Sequence, residues 1–510
     1  MRVTLVRCPT LIDPSASTSP ITPPLGLAYL HAVVATFTDD IVIIDSIGNA
    51  PTIRPIPSKE FTHTMLLGQT DEEIACEVPQ STQIILFSCM FSQDWPYARK
   101  IIGSLRARAK DAVIIGGGEH FTAAPRFSLR SAPELDLLVL GEGEATLSEI
   151  LTRFKNSESL ENIPNTLSQR AEYTPTRDEV TVRKSRIKDL DKITRPLWDK
   201  FPLQKYFDGS HTFGVNLGRR TMPIMASRGC PYRCTFCSSP DMWSTSWHVR
   251  RPEDVIAEIR HYQEHYGANN FDFYDLTAIV KRRWIISFCE QIIGSGLDIT
   301  WQLPSGTRSE AIDEEVASLL YQSGCRNLSY APESGSPRVL SLIKKRIDVN
   351  NMLTSMKACV TSGLSVKANL MCGFPGETHT DLWKSYIFAL RAAVVGIDDI
   401  SVNQFSPYPG SELFRLLIAQ GQIKLDEQYF RQLSYYSSMT KSTSYSEYIS
   451  PRMILFFKYF LTMSFYTVHF LARPKNIPRV WQNVREGKET TRLEKTLIAY
   501  LARRRTPVNS

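Results

Sequence analysis

The sequence predicts an α/β protein in three parts. A doubly wound parallel sheet occupies about residues 1–155, and a partial (β/α)6 parallel barrel about 216–425. A mainly helical region follows over 426–510, and residues 156–215 read as a linker. Three observations carry this. Continuous apolar runs alternate with helical stretches in the first part, as strands covered on both faces do. A second series of such units follows, each strand ending in a turn that carries an acid, a glycine or a cysteine. After residue 426 the texture changes to a long apolar run and then a basic tail.

Composition sets the bounds. A chain of 510 residues holds two to four domains with full-sized cores. Hydrophobic content of 43% and charged content of 22% are ordinary for a globular protein. The net charge of +7 is mild, and no basic patch is interleaved with aromatics, so nucleic acid is not an expected partner. Ten cysteines are too few for a disulfide scaffold. Seven of them (Cys8, Cys76, Cys89, Cys289, Cys325, Cys359 and Cys372) are scattered, mostly in apolar runs, and read as buried thiols. The first seven residues lack the apolar core of a signal peptide, so a reducing cytoplasm is the expected compartment.

In the first part, strands are expected over 2–6, 40–45, 83–88, 112–115 and 135–140. A helix opens at Pro23-Pro24-Leu25, with proline in its first turn, and another spans 95–109. Ligands of such sheets bind at the carboxyl ends of the strands. Two glycine-rich turns fall there, Gly116-Gly117-Gly118-Glu119-His120 and Gly141-Glu142-Gly143-Glu144. Glycine lets a bulky ligand approach the backbone.

The barrel strands are expected over 222–226, 271–275, 299–303, 327–331, 366–371 and 399–405. Chemistry in such barrels sits at the carboxyl ends of the strands. The first strand delivers Cys230-Pro231-Tyr232-Arg233-Cys234-Thr235-Phe236-Cys237 to that end. Asp275, Arg308, Glu333, Glu377 and the Tyr408-Pro409-Gly410 turn arrive there from the others. Three thiolates on one loop suit a [4Fe–4S] cluster that keeps one iron open to a small molecule. The competing reading is a zinc knuckle. Zinc sites pair two short Cys or His units, and no second unit accompanies this one.

The Cys-x3-Cys-x2-Cys spacing, with Phe236 before the last cysteine, resembles the radical S-adenosylmethionine (SAM) enzymes. The turns of the first part, together with Glu333-Ser334-Gly335, Gly373-Phe374-Pro375-Gly376-Glu377 and Pro407-Tyr408-Pro409-Gly410, resemble the cobalamin (B12)-dependent group of that family over about residues 1–415. The resemblance implies a Rossmann-like cobalamin domain fused to a TIM-like barrel. It implies that Cys230, Cys234 and Cys237 hold the cluster, and that SAM meets Phe236, Asp275, Arg308, Glu333, Ser334, Pro407 and Tyr408. It sets cobalamin against Ser88, Gly116, Gly117, Gly118, Glu119, Glu142 and Gly143. The Asp-x-His-x-x-Gly motif of other B12 proteins is absent, so no histidine is expected below cobalt. Met90 and Phe91 are expected to cover that face, with His120 as a loop or tail contact. Glu377 is expected to be a turn or cap residue.

The activity implied is radical methylation. The reduced cluster cleaves SAM, the 5′-deoxyadenosyl radical takes a hydrogen atom from an unactivated carbon of a small molecule, and methylcobalamin supplies the methyl group. An electron donor of flavodoxin or ferredoxin type is then needed. Tyr274, Trp301 and Tyr330 are speculative pocket residues, against core packing as the alternative. Rival activities are a ring-forming or rearranging enzyme with the same cofactors, and a cobalamin sensor or carrier without catalysis. A methylthiotransferase is disfavoured, because Cys8, Cys76 and Cys89 sit in unsuitable surroundings for a second cluster. Residues 451–474 are long and apolar enough for a spanning helix, interrupted by Lys458 and His469. They are expected to form a buried helix over the barrel mouth, with contact to an anionic membrane as the lesser alternative.

Overall fold

The computed structural model describes residues 1–15, 21–56, 59–61, 64–169, 186–217, 220–308 and 310–505. The N-terminal sheet has strands β1 (Val3–Arg7), β2 (Ile41–Asp45), β3 (Ile84–Ser88), β4 (Val113–Gly117), β5 (Leu137–Val139) and β6 (Thr166–Ser168). Their order is β2-β1-β3-β4-β5-β6, parallel except for β6. The five expected strands are all present. The sixth is recruited from the stretch expected to be linker. Register aligns Asp45, Arg7, Ser88 and Gly117 along one carboxyl edge. Helices α1 (Leu25–Ala35), α2 (Trp95–Arg108), α3 (Glu119–Ala123) and α4 (Glu144–Lys155) follow β-strands, which gives the doubly wound architecture.

The second sheet has six parallel strands in sequence order: β7 (Thr221–Ile224), β8 (Asn270–Phe273), β9 (Thr300–Thr307), β10 (Cys325–Glu333), β11 (Ser365–Cys372) and β12 (Asp399–Gln404). Helices α5 (Pro252–Tyr266), α6 (Arg282–Ser295), α7 (Glu314–Gln322), α8 (Val349–Thr361) and α9 (His379–Val395) return the chain across its outside. Strand alternation sorts the side chains. Phe273 and Trp301 meet Phe288 of α6, so the large apolar residues face the helix layer. Asn270, Asp272 and Gln302 lie on the other face and hydrogen-bond to Thr300, to Thr212 and Phe213, and to Val215.

Residues 186–217 lie between the two sheets. Trp198 donates to Tyr262 of α5 at 3.0 Å, and Tyr206 donates to Asp45 at the edge of β2 at 2.6 Å. Both rings are fully buried, each worth about 1.5–3 kcal/mol of apolar burial.

The C-terminal helix α10 (Pro451–Ala472) does not cover the barrel mouth, and this corrects the expectation. It lies on the outside of the barrel against α9 and β12, burying Ile454, Phe457, Leu461 and Phe465. Shape decides the placement, because β12 is the open edge of an unclosed barrel and needs a cover. Helices α11 (Asn476–Glu486) and α12 (Arg492–Arg505) follow.

Candidate functional site

The cysteine loop leaves β7 through Ser227–Arg228, which pairs antiparallel with His248–Val249. Gly229 then turns the chain with φ +89°, where a side chain would collide with the Ser246 carbonyl. Backbone bonds pin the loop from both sides: Thr235 N–H donates to Ile343 O at 3.0 Å, and Leu413 N–H donates to Thr235 O at 2.9 Å. Cys230, Cys234 and Cys237 are free thiols with half-buried residues, and Phe236 packs on Phe374 at 5.8 Å. Burial pushes the Cys237 thiol up to about 11. It also raises Cys230 and Cys234, but Lys345 and Arg308 pull those two back toward the thiolate.

The donor chemistry fits an iron–sulfur cluster. Three thiols share one rigid loop with two cations beside it, and a cubane takes each thiolate onto a different iron. Among the described residues no group of three or more His, Cys, Asp or Glu side chains converges as the ligands of a single ion do.

Around this loop stand the ends of the barrel strands. Arg308 lies over the Tyr232 ring, 3.7 Å from its centroid, and donates to Glu310 and to the Arg346 carbonyl. Glu333 accepts from Lys345 Nζ at 3.0 Å with both side chains buried. Its φ of +63° is rare for a residue other than glycine. Burial lowers the Lys345 ammonium's pKa, but Glu333 and the Cys234 sulfur outweigh that and raise it.

Asp275 does not face an open space. Its carboxylate accepts from Ala226 N–H at 3.1 Å and from Ser227 Oγ at 2.5 Å, which secures the base of the cysteine loop. Burial raises its pKa to about 6. Ser334 is fully buried and bonds to Ser385 and to Ser336 N–H, so it fastens the Glu-Ser-Gly turn to α9. Glu377 accepts from Gly373 and Phe374 N–H at 2.5 and 3.2 Å, closing the turn, and burial lifts it to about 8. The Pro407 carbonyl accepts from Tyr429, and Tyr408 reaches Gln93 of the N-terminal unit at 3.4 Å.

The carboxyl edge of the first sheet faces the same region. Beyond Ser88, Met90 and Phe91 are 53% and 49% exposed, a pair of apolar side chains standing free at the sheet edge. A side chain at Gly117 would meet nothing within 4 Å. At Gly118, with φ +108°, it would come within 2.6 Å of the Cys89 carbonyl. Gly116 and Gly143 instead make room for Phe121 and Leu138, and for Leu30. These residues leave an open, partly apolar edge that fits a large flat cofactor.

The structure engages the other expected residues in contacts within the protein. His120 is fully buried: Nδ1 bonds Ser92 Oγ at 3.0 Å, Nε2 bonds Ser128 Oγ at 3.1 Å, and the ring stacks on Trp95. Burial brings its pKa down to about 3, and neither nitrogen is left for a ligand. Glu142 accepts from Arg228 at 3.1 Å, from Arg186 at 3.0 Å and from Ile187 N–H, and Glu144 takes the other arm of Arg228 at 2.5 Å. Glu119 accepts from Ser238 Oγ at 2.7 Å. These acids clamp the two units together instead of standing open to a ligand. Trp301 and Tyr330 are fully buried on the helix side, bonded to Ser323 O and to Ser355, and line no pocket. Tyr274 is half-buried against Phe213. Arg228, Arg186 and Lys345 carry much of the site's electrostatics but gave no signal in the sequence, since a lone charged residue in a loop does not reveal its partner.

A radical SAM superfamily model matches residues 224–389 and a B12 binding domain model matches residues 15–151. An uncharacterized methyltransferase of Pyrococcus horikoshii is 30% identical over 422 residues, covering 82% of this chain and 83% of its own. The cytidylyl-2-hydroxyethylphosphonate methyltransferase of Streptomyces wedmorensis is 26% identical over 438 residues, covering 80% of each chain. The anaerobic magnesium-protoporphyrin IX monomethyl ester cyclase of Rubrivivax gelatinosus is 26% identical over 308 residues, covering 60% of this chain and 53% of its own. Among solved structures, the fold is similar to the radical SAM methyltransferase TsrM of Kitasatospora setae, bound to cobalamin and a [4Fe–4S] cluster. The TM-score is 0.61 at 17% identity, covering 82% and 78% of the two chains. The cobalamin-dependent radical enzyme OxsB, with aqua-cobalamin and SAM, superposes with a TM-score of 0.60 at 16% identity, covering 88% and 58%.

Proposed function

This chain belongs to the cobalamin-dependent radical SAM enzymes, and from that premise we propose that it methylates an unactivated carbon of a small molecule. The observation that supports methyl transfer is the reach of the likeness. The two methyltransferase relatives align over four-fifths of their own length, whereas the cyclase aligns over about half of its own. Non-methylating ring closure is the second reading, and that cyclase relative is what favours it.

Cys230, Cys234 and Cys237 would hold the cluster, and the edge formed by Ser88, Met90, Phe91 and Gly117 would seat cobalamin. When bound, these groups supply the electron for SAM cleavage and the methyl carrier. The chain's own work is to position and to exclude water. Arg308 and Lys345 place positive charge beside Cys230 and Cys234, where an anionic end of SAM would sit. Arg228 and Ser238, on either side of the cysteines, bind Glu142, Glu144 and Glu119 of the opposite unit. That holds the two faces in register while a radical is present. An external electron donor of flavodoxin or ferredoxin type completes the proposal.

The test is anaerobic turnover of the reconstituted protein with reductant, cobalamin, methyl-labelled SAM and a panel of small molecules. Methyl transfer predicts label in the product together with 5′-deoxyadenosine. Altered product without label would favour a ring-forming or rearranging reaction without methyl transfer instead.

A further inference from the structure

Helix α10 is apolar on its exposed side as well as its buried one. Between residues 453 and 472 its only basic residues are Lys458 and His469, and both are turned into the protein. Lys458 donates to the Ser438 carbonyl, and the His469 ring bonds Asn476. The solvent side carries Phe456, Tyr459, Phe460, Met463 and Leu471, with Leu471 77% exposed. The apolar surface continues onto α9 through stacked rings: Phe456 on Phe460 at 5.5 Å, Phe460 on Tyr386 at 5.1 Å, Tyr386 on Trp383 at 5.0 Å. Trp383 is itself 56% exposed. Helix α11 buries no residue and presents Ile477 and Trp481 one turn apart, the latter 74% exposed. Monomeric proteins rarely leave so extended an apolar face to water.

We propose that this face of α9, α10 and α11 docks on an anionic membrane surface. Charge selects that occupant. Five exposed basic residues lie on the three helices, namely Lys384, Arg391, Arg452, Arg485 and Arg479, the last paired with Asp398, and Lys475 sits in the turn between α10 and α11; the exposed acids are Glu486 on α11 and Glu447 just before α10. Exposed tryptophan and aliphatic side chains beside lysine and arginine are the makeup of helices that lie in the headgroup layer. A second copy of the chain would bring the same basic rim against itself. The helix lies along the surface and does not cross it. At 22 residues α10 is long and apolar enough to span a bilayer. Its inner side, however, is packed on α9 and β12, and crossing would strip that packing away.

Flotation of the full chain with vesicles tests this. The wild type is expected to rise with vesicles of phosphatidylglycerol and phosphatidylcholine, and to stay at the bottom with phosphatidylcholine alone or in high salt. Phe456→Ala/Trp481→Ala and Lys475→Glu/Arg485→Glu are each expected to reduce partition at least about tenfold, with Tm unchanged. Wild-type protein that stays at the bottom with phosphatidylglycerol vesicles overturns the proposal. So does a lipid-free dimer by light scattering that Phe456→Ala/Trp481→Ala abolishes without altering flotation, which would make the face a contact between copies.

Discussion

Lys344 and Lys345 are neighbours in sequence, yet they have opposite fates. Lys344 is exposed and pairs with Glu412, while Lys345 is buried against Glu333 beside the cysteines. Removing one member of a buried pair leaves an uncompensated charge. Lys345→Met is therefore expected to cost about 3–5 kcal/mol of stability in denaturant titration, and Lys345→Met/Glu333→Leu to recover much of it. Glu377 supplies a pH signature. Folded, it keeps its proton up to about 8, whereas the unfolded carboxyl releases it in the ordinary carboxylate range. Between those values only the unfolded state sheds the proton, so stability falls as pH rises and levels off above about 8. Glu377→Gln should flatten that slope relative to wild type when unfolding free energy is followed across the same window. Neither effect could be read from the chain, because two adjacent lysines look alike and a carboxyl's burial is set by residues far away in sequence.

At the scale of elements, the loops after β4 and β5 do more than frame a cofactor edge. Gly118 is required because any side chain there meets the Cys89 carbonyl in a backbone conformation that disfavours one. Gly118→Ala should lower stability by about 1–3 kcal/mol and disturb the Cys89–Phe91 segment, read by thermal melts and by proteolysis at that loop. Arg228 ties the cysteine loop to both Glu142 and Glu144 and lies over the Tyr29 ring, 5.0 Å from its centroid. Arg228→Met removes the cation from Glu144 and leaves Glu142 with Arg186 alone, both acids being largely shielded from water. It is expected to split the unfolding transition, with hydrogen exchange rising first where the N-terminal sheet meets the cysteine loop. The glycines of these turns were readable as places of close approach. That their acids reach across to the other unit was not, since Glu142 and Arg228 are 86 positions apart.

Over the whole molecule, the carboxyl edge of the first sheet is tied to the barrel mouth through Glu142 and Arg228, Glu119 and Ser238, and Gln93 and Tyr408. The cysteine loop is held by backbone bonds to residues 343 and 413. Replacing Cys230, Cys234 and Cys237 with alanine should therefore abolish iron and sulfide binding and SAM cleavage, while metal-free variant and metal-free wild type melt together. The five parallel strands of the first sheet, the six of the barrel and the cysteine spacing were determined by sequence alone, because apolar periodicity and ligand spacing are local properties of the chain; the antiparallel β6 was not. Which acids stay open to a ligand, which lysine turns inward and where the long apolar helix lies were decided only by tertiary packing. Each depends on a partner brought close by the fold, and α10 was drawn to the uncovered edge at β12 and away from the mouth.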